Sequence, residues 1–262
     1  MAQAAADHAD IKAPSALLAL TELPRALAEF GSLGLAAPIL ASAPRGDGHP
    51  VLVLPGFVTT DISTAPLRRF LRGLGYDAHA WELGRNLGPR AIGREGEKLI
   101  ARLREIHEAT GQKVSLVGWS LGGLYARQLA KMMPERVRQV ITLGSPFAGD
   151  PHSTNAWRVY EWVSGRKSDE IDPRFGGELA AAPPVPTTAI FSRTDGVCAW
   201  QGCMEKTGVQ TESIEVESSH CGMGHHPAVV YAVADRLAQK EGQWRPFDRS
   251  GWRSLAYPDP HR

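Results

Sequence analysis

Cysteine is scarce in this sequence, and neither sign of charge dominates it. Its 262 residues include three cysteines, and 29 Lys and Arg residues stand against 28 Asp and Glu residues. So few cysteines exclude a disulfide-rich scaffold. A balanced charge gives no strong field to attract nucleic acid or an anionic membrane surface. We therefore expect a small-molecule partner and no nucleic acid.

Long apolar runs and a basic leader are absent as well. No run is long enough to span a bilayer, and the opening MAQAAADHADIKAP lacks the basic region and apolar core of a secretory signal. These features predict a cytoplasmic protein without integral membrane association. The hydrophobic content of 43% allows one large core, and no linker divides the chain. Residues 1–262 are therefore expected to form a single domain.

The N-terminal segment, residues 1–49, is predicted to contain a helix followed by a polar connector. Leu20, Leu23, Leu27 and Phe30 recur at helical spacing. We expect this helix to pack its apolar stripe on the main body of the protein. Docking of the stripe to a membrane is the alternative.

Beyond this segment, short apolar stretches alternate with helical patterns, which indicates an α/β fold with a mostly parallel sheet and helices on both faces. Ligands bind such sheets at the carboxyl ends of the strands. The pattern breaks over residues 145–186, which we interpret as a small inserted cap, a plain surface excursion being the alternative. The predicted strands are Val51 to Leu54, Tyr76 to Ala80, Val114 to Val117, Val137 to Leu143, Thr187 to Phe191 and Ser213 to Val216.

A serine between glycines follows the third predicted strand. Gly118-Trp119-Ser120-Leu121-Gly122 matches the pattern G-x-S-x-G, with a strand before it and a helical pattern after it. In this context the turn exposes the serine hydroxyl at the carboxyl edge of the sheet, beside a helix N-terminus that favours negative charge. A glycine-rich turn with an incidental serine and a phosphate-binding loop are the alternatives. Ser120 is thus a candidate nucleophile.

A serine needs a base to take its proton and a carboxylate to orient that base. Asp195 follows the fifth predicted strand and His220 follows the sixth, in the chain order serine, acid, histidine. Asp195-Gly196 as an ordinary turn is the alternative for the acid, and His225 and His226 are rivals for the base. The histidines have no accompanying ligand set with metal spacing, so no metal and no cofactor is expected.

An oxyanion hole would complete such a site. One donor would be the backbone N–H of Leu121, directly after the serine. The other would come from the loop after the first strand, and Phe57 in VLVLPGFVTTD is the candidate there. A simple turn at Pro55-Gly56 is the alternative reading of that loop.

The segments VLVLPGFVTTD, GWSLGG, VITLGSPFAG, SRTDGV and SSHCGMG, in this order, resemble the α/β-hydrolase superfamily. Within it, the chain is most similar to compact bacterial lipase and esterase-like members, over about residues 50–238. The resemblance implies a reduced sheet of about six strands, with Ser120 as nucleophile, Asp195 as acid and His220 as base. It assigns the oxyanion donors to Phe57 and Leu121.

The activity that this resemblance implies is the cleavage of a small or lipid-like carboxylic ester through an acyl-enzyme. An acyltransferase or a thioesterase on the same residues is the alternative, and a non-catalytic binding relative is another. Candidate residues for an apolar acyl pocket are the aromatic side chains Trp119, Phe147, Trp157, Trp162 and Trp200.

Two cysteines lie close in sequence to the candidate acid and base. Cys203 comes eight residues after Asp195, and Cys221 directly follows His220. A disulfide between them would tie the two loops together, with Cys198 left as a small buried residue. Three reduced thiols are the alternative, because cytosol opposes disulfides.

Overall fold

The computed structural model describes residues 11–148, 154–155 and 179–262. These residues form a six-stranded sheet in the order β2-β1-β3-β4-β5-β6, and every neighbouring pair is parallel. The predicted α/β fold and strand number are confirmed. The strands are β1 Pro50–Leu54, β2 Asp77–Ala80, β3 Val114–Trp119, β4 Val137–Leu143, β5 Thr187–Phe191 and β6 Thr211–Glu215.

Alternate residues of the strands supply two hydrophobic layers. Val53 and Val117 belong to one layer, whereas Leu52 and Leu116 belong to the other. Because the side-chain period of a strand is two, a central strand buried on both faces needs apolar residues throughout. This explains why β1, β3 and β5 are buried along their whole length.

Helices cover both faces of the sheet. The helices are α1 Ala16–Leu20, α2 Glu22–Leu35, α3 Ala37–Ala41, α4 Asp61–Leu74, α5 Pro89–Ile92, α6 Glu97–Thr110, α7 Leu121–Met132, α8 Pro227–Leu237 and α9 Arg253–Ala256. Leu67 and Val230 place α4 and α8 on one layer, whereas Leu103 and Leu129 place α6 and α7 on the other. None of the helices in the described ranges is long and apolar enough to cross a membrane.

The N-terminal helix is present, but the expectation about its packing face is wrong. Leu20, Leu23 and Leu27 on α1 and α2 are 80%, 69% and 74% exposed. The side chains that α2 buries instead are those of Glu22 and Ala26. The physical reason is that the loops beneath α2 present backbone N–H donors, which carboxylate oxygens satisfy and aliphatic side chains cannot.

The predicted cap, residues 145–186, falls largely outside the described residues, since 149–153 and 156–178 are not among them. The cap therefore stays a prediction. The described residues of this segment contact the buried side chain of Arg127 on α7. Arg127 forms an ion pair with Glu205, donates to the carbonyl oxygens of Leu179 and Ala181, and lies 3.7 Å from the ring centre of Phe147.

We expect the substitution Glu205→Gln to lower the free energy of unfolding by about 3–5 kcal/mol, because it leaves Arg127 buried without its counter-charge. Urea denaturation measures the change. The matched control is Glu241→Gln, which breaks the exposed pair with Lys113 and should cost about 0–1 kcal/mol. Equal losses in the two variants would contradict a stabilising role for the buried pair.

Candidate active site

Ser120 occupies a strained turn between β3 and α7. Its φ is 53° and its ψ is −121°, a conformation that non-glycine residues rarely adopt. Neighbouring glycines allow the close approach: a Cβ on Gly118 would lie 2.4 Å from the carbonyl oxygen of Gly122. A Cβ on Gly122 would lie 2.5 Å from the carbonyl oxygen of Leu54. The turn holds the half-buried Ser120 at the carboxyl edge of the sheet.

Asp195 and His220 meet at the same edge. Asp195 follows β5 and His220 follows β6, and the His220 Nδ1 to Asp195 Oδ2 distance is 2.6 Å. The second carboxylate oxygen accepts hydrogen bonds from the backbone N–H groups of Val197 and Cys198, both at 2.7 Å. Both side chains are buried. Asp195 thus fixes the orientation of the imidazole and accepts a hydrogen bond from its Nδ1–H, which leaves Nε2 for other chemistry.

The end of β4 lies between the serine and this acid–base pair. The backbone N–H of Ser120 donates to the carbonyl of Leu143 at 2.8 Å. A Cβ on Gly144, the next residue, would lie 3.1 Å from Asp195 Oδ2 and 3.2 Å from His220 Nδ1. No hydrogen bond joins the Ser120 hydroxyl to His220, both of which are described residues. Such bonds are often long in ligand-free structures and shorten when substrate binds.

The pKa of His220 lies well above its ordinary value of 6.5. Burial acts to lower it, but the charge of Asp195 and its hydrogen bond outweigh burial, because they stabilise the imidazolium. A hydrogen bond with Cys203, and then burial, raise the pKa of the neighbouring Cys198 thiol. Asp195, together with Cys198, thus supports positive charge on the imidazole.

The loop after β1 lies against Ser120. A Cβ on Gly56 would be 3.4 Å from Ser120 Cβ, which places half-buried Phe57 beside the turn. Val58 has a φ of 55°, an unusual value for a β-branched residue. Leu121 is the first residue of α7, so its N–H has no acceptor within the helix. Leu121 directly follows Ser120 and Phe57 directly follows Gly56, so both candidate oxyanion donors lie near Ser120.

Asn86 holds this loop and was not found from the sequence. Its side chain donates to the carbonyl oxygen of Pro55 at 2.9 Å. Its backbone carbonyl accepts from Val58 N–H, and its own N–H donates to the carbonyl of Thr59, both at 2.8 Å. The Asn-Leu-Gly stretch signals only a turn. Nothing local shows that the turn reaches a loop some 30 residues earlier.

The candidate pocket aromatics have other contacts. Trp119 is buried, and its indole N–H donates to the carbonyl oxygen of His220 at 3.0 Å, so it supports the loop that carries His220. Phe147 lies under the Arg127 guanidinium, and Trp200 stacks on Phe191 with a centroid distance of 5.9 Å. Trp157 and Trp162 lie outside the described residues.

The rival histidines are engaged elsewhere. His225 contacts the carbonyl oxygen of Ala26 through Nε2 at 3.0 Å, and its ring packs edge-on against Phe30. His226 caps α8 by accepting from the backbone N–H of Ala228. Of these neighbouring histidines, His220 contacts the candidate acid.

The disulfide predicted between Cys203 and Cys221 is absent, because both residues are free thiols. Cys203 is buried with Cys198 and Phe191, and its thiol donates to the carbonyl of Ala199 at 3.6 Å. Burial and the charge of Glu22 raise the pKa of Cys221 to about 12. The two cysteines thus have separate surroundings and stay protonated.

Cys198 was expected to be a small buried residue, and it is. Its thiol, an Asp195 oxygen and a His220 nitrogen lie within 4.8 Å of one another. This trio has donor atoms that a metal could use. The strong hydrogen bond between Asp195 and His220 already satisfies two of its members.

A second Asp–His–Ser chain lies at the opposite edge of the sheet. His49 contacts Asp47 through Nδ1 and Ser115 Oγ through Nε2, the latter at 2.8 Å. Ser115 lies within β3 and is completely buried. A substrate cannot reach its hydroxyl without local unfolding, so this chain is structural.

Comparison with known proteins agrees with this architecture. Residues 71–174 match a family model described as the alpha/beta hydrolase fold. Aspergillus fumigatus lipase B superposes with a TM-score of 0.57 at 19% identity, over 78% of this chain and 56% of that one. Paleococcus ferrophilus monoacylglycerol lipase gives 0.53 at 19% identity, over 73% and 96%. The chain has the α/β-hydrolase fold, and its residues 71–174 match that family.

Two curated proteins share a short segment with the chain. Triacylglycerol lipases from Pseudarthrobacter phenanthrenivorans and Burkholderia plantarii are each 44% identical to it over 55 residues. The segment is 21% of this chain, and it spans 17% and 15% of the two relatives. The structural likenesses, at under 25% identity, concern the fold.

We expect Asp195→Asn to lower kcat/KM for an ester on the order of 10⁴-fold and to move the acid limb of the remaining activity to lower pH. The base form of His220 must be neutral, so activity rises with pH through its pKa, which Asp195 raises above 6.5. A pH profile of kcat/KM for both proteins measures this. An acid limb that stays in place would contradict the assigned role of Asp195.

We expect thiol titration of the unfolded protein, without reductant, to find three free thiols per chain, because Cys203 and Cys221 are not bonded. The same titration after reduction is the control. A count of one free thiol per chain before reduction and three after it would show a disulfide and contradict this prediction.

Proposed function

We propose that this α/β-hydrolase cleaves carboxylic esters through an acyl-enzyme on Ser120. The observation that carries the proposal is the 2.6 Å bond between His220 and Asp195, made at the sheet edge beside the strained turn of Ser120. A buried carboxylate that orients an imidazole near a serine hydroxyl is the arrangement that activates a nucleophile.

In the first half-reaction, Ser120 Oγ attacks the ester carbonyl carbon while His220 Nε2 takes the hydroxyl proton. The N–H groups of Leu121 and Phe57 stabilise the oxyanion of the tetrahedral intermediate. The intermediate collapses, the C–O bond to the alcohol breaks, and the alcohol leaves with the proton from His220. The acyl group remains on Ser120.

In the second half-reaction, water attacks the acyl carbon as His220 removes one of its protons. The bond to Ser120 Oγ breaks, His220 returns the proton to this oxygen, and the carboxylic acid leaves. Asp195 stabilises the imidazolium that forms in each half. The raised pKa of His220 agrees with that role.

The substrate is proposed to be a small or lipid-like ester. The segment shared with two triacylglycerol lipases supports this choice. The half-exposed ring of Phe30 also packs against His225, five residues after the candidate base. Such a surface favours an apolar acyl chain over a charged one.

We expect Ser120→Ala to abolish hydrolysis of p-nitrophenyl butyrate and labelling by a fluorophosphonate, because the nucleophile is lost. The matched control is Ser115→Ala, which removes the serine of the buried Asp47–His49 chain and should leave labelling at Ser120 intact. Mass spectrometry of the labelled peptides identifies the modified residue. Label on a residue other than Ser120, or full activity in Ser120→Ala, would overturn the proposal.

A further inference from the structure

We propose that Glu22 and Glu29 of α2 are positioning residues that hold the acid loop and the base loop in register. The inference rests on the proposed function, since it assigns these carboxylates to the same site. The acid loop is residues 194–198 and the base loop is residues 218–222. Each loop follows a different strand, so neither one fixes the other through the chain.

Glu22 contacts both loops at once. Its Oε1 accepts from the backbone N–H of Gly196 at 2.7 Å and from that of His220 at 3.1 Å. Its Oε2 accepts from Cys221 N–H at 2.8 Å. Gly196 directly follows Asp195, so one carboxylate binds the backbone beside the acid and the backbone of the base itself.

Glu29, two turns further along α2, holds the base loop a second time. Its Oε1 accepts from Ser219 N–H at 2.7 Å. Its Oε2 accepts from the hydroxyls of Ser219 and Ser218 at 2.8 and 3.2 Å. Residues seven apart lie on one face of a helix, so both carboxylates point toward the loops.

Arg25 completes the set on the same face. One guanidinium nitrogen donates to Glu22 Oε1 and another donates to the carbonyl of Thr194 in the acid loop, both at 2.8 Å. Its charge offsets that of Glu22, which is almost completely buried. Hydrogen bonds to a charged acceptor are about twice as strong as neutral ones, so this contact restrains both loops strongly.

Two glycines show that the loops are built to admit the N-terminal helices. A Cβ on Gly196 would lie 2.4 Å from the carbonyl oxygen of Leu18 in α1. A Cβ on Gly222 would lie 1.5 Å from Glu29 Oε2. A larger residue at Gly196 would push α1 off the acid loop, whereas one at Gly222 would displace the Glu29 carboxylate from the base loop.

These contacts matter because a proton-transfer pair works only within a narrow geometry. A misplacement of about 1 Å can cost about 100-fold in rate. The charged or titratable groups around His220 are Asp195 and Cys198 on the acid loop, Cys221 on its own loop, and Glu22 and Glu29 on α2. Release of the loops would weaken the Asp195 contact and lower the pKa of His220.

The test compares Glu22→Ala, Glu22→Gln and Glu29→Gln with the wild type in ester hydrolysis, over a range of pH. We expect Glu22→Ala to lower kcat about 100-fold with KM nearly unchanged and to move the acid limb to lower pH. Glu22→Gln keeps one acceptor oxygen and should retain more activity than the alanine variant. Glu29→Gln should show a smaller loss of the same kind.

The matched control is Glu212→Gln at the amino end of β6. Glu212 likewise accepts from an arginine, a hydroxyl and a backbone N–H, those of Arg236, Thr188 and Phe247. This variant should lose stability comparably, measured by thermal unfolding, while its kcat and acid limb stay unchanged. That contrast separates positioning from general destabilisation.

Two outcomes decide the matter. Equal kcat and pH profiles in the Glu22 variants and Glu212→Gln would overturn the positioning role, while wild-type hydrolysis keeps the proposed function. A wild type that neither hydrolyses esters nor takes the fluorophosphonate label would remove the proposed function itself.

Discussion

The hydrogen bond between Asp195 and His220 is the contact on which the candidate site depends. Its two residues belong to loops after neighbouring parallel strands, β5 and β6, so the bond exists only because the sheet places both carboxyl ends at one edge. Ser120 reaches this edge from β3, on the other side of β4. The order of the strands thus gathers three residues that span 100 positions of sequence.

Buried charge is tolerated around this bond because backbone N–H groups surround it. Asp195 accepts two such donors, Glu22 accepts three and Glu29 accepts one. Desolvated carboxylates are costly unless they are hydrogen-bonded, and N–H groups in a loop are costly unless they find acceptors. The carboxylates and the loop N–H groups therefore satisfy each other by hydrogen bonding. This explains why α2 turns its polar face inward and leaves Leu23 and Leu27 exposed.

The sequence predicted features whose signals are local. The strands were readable from short apolar runs, and the turn at Ser120 from glycines in a strand-to-helix context. The packing face of α2 was not predictable, because periodicity shows an apolar stripe but not the partner of the opposite face. The disulfide between Cys203 and Cys221 was wrongly predicted for a related reason, because spacing in sequence does not fix the direction of a side chain within a loop. Asn86 acts through contacts distant in sequence.

The central claim is that Ser120 and the two candidate oxyanion donors surround one reacting atom. A crystal structure of the protein after reaction with a phosphonate ester tests it most directly. We predict phosphorus bonded to Ser120 Oγ, with a phosphoryl oxygen about 2.7–3.1 Å from the backbone nitrogens of Leu121 and Phe57. An adduct whose oxygen points away from both nitrogens, or phosphorus bonded to a different side chain, would contradict the account.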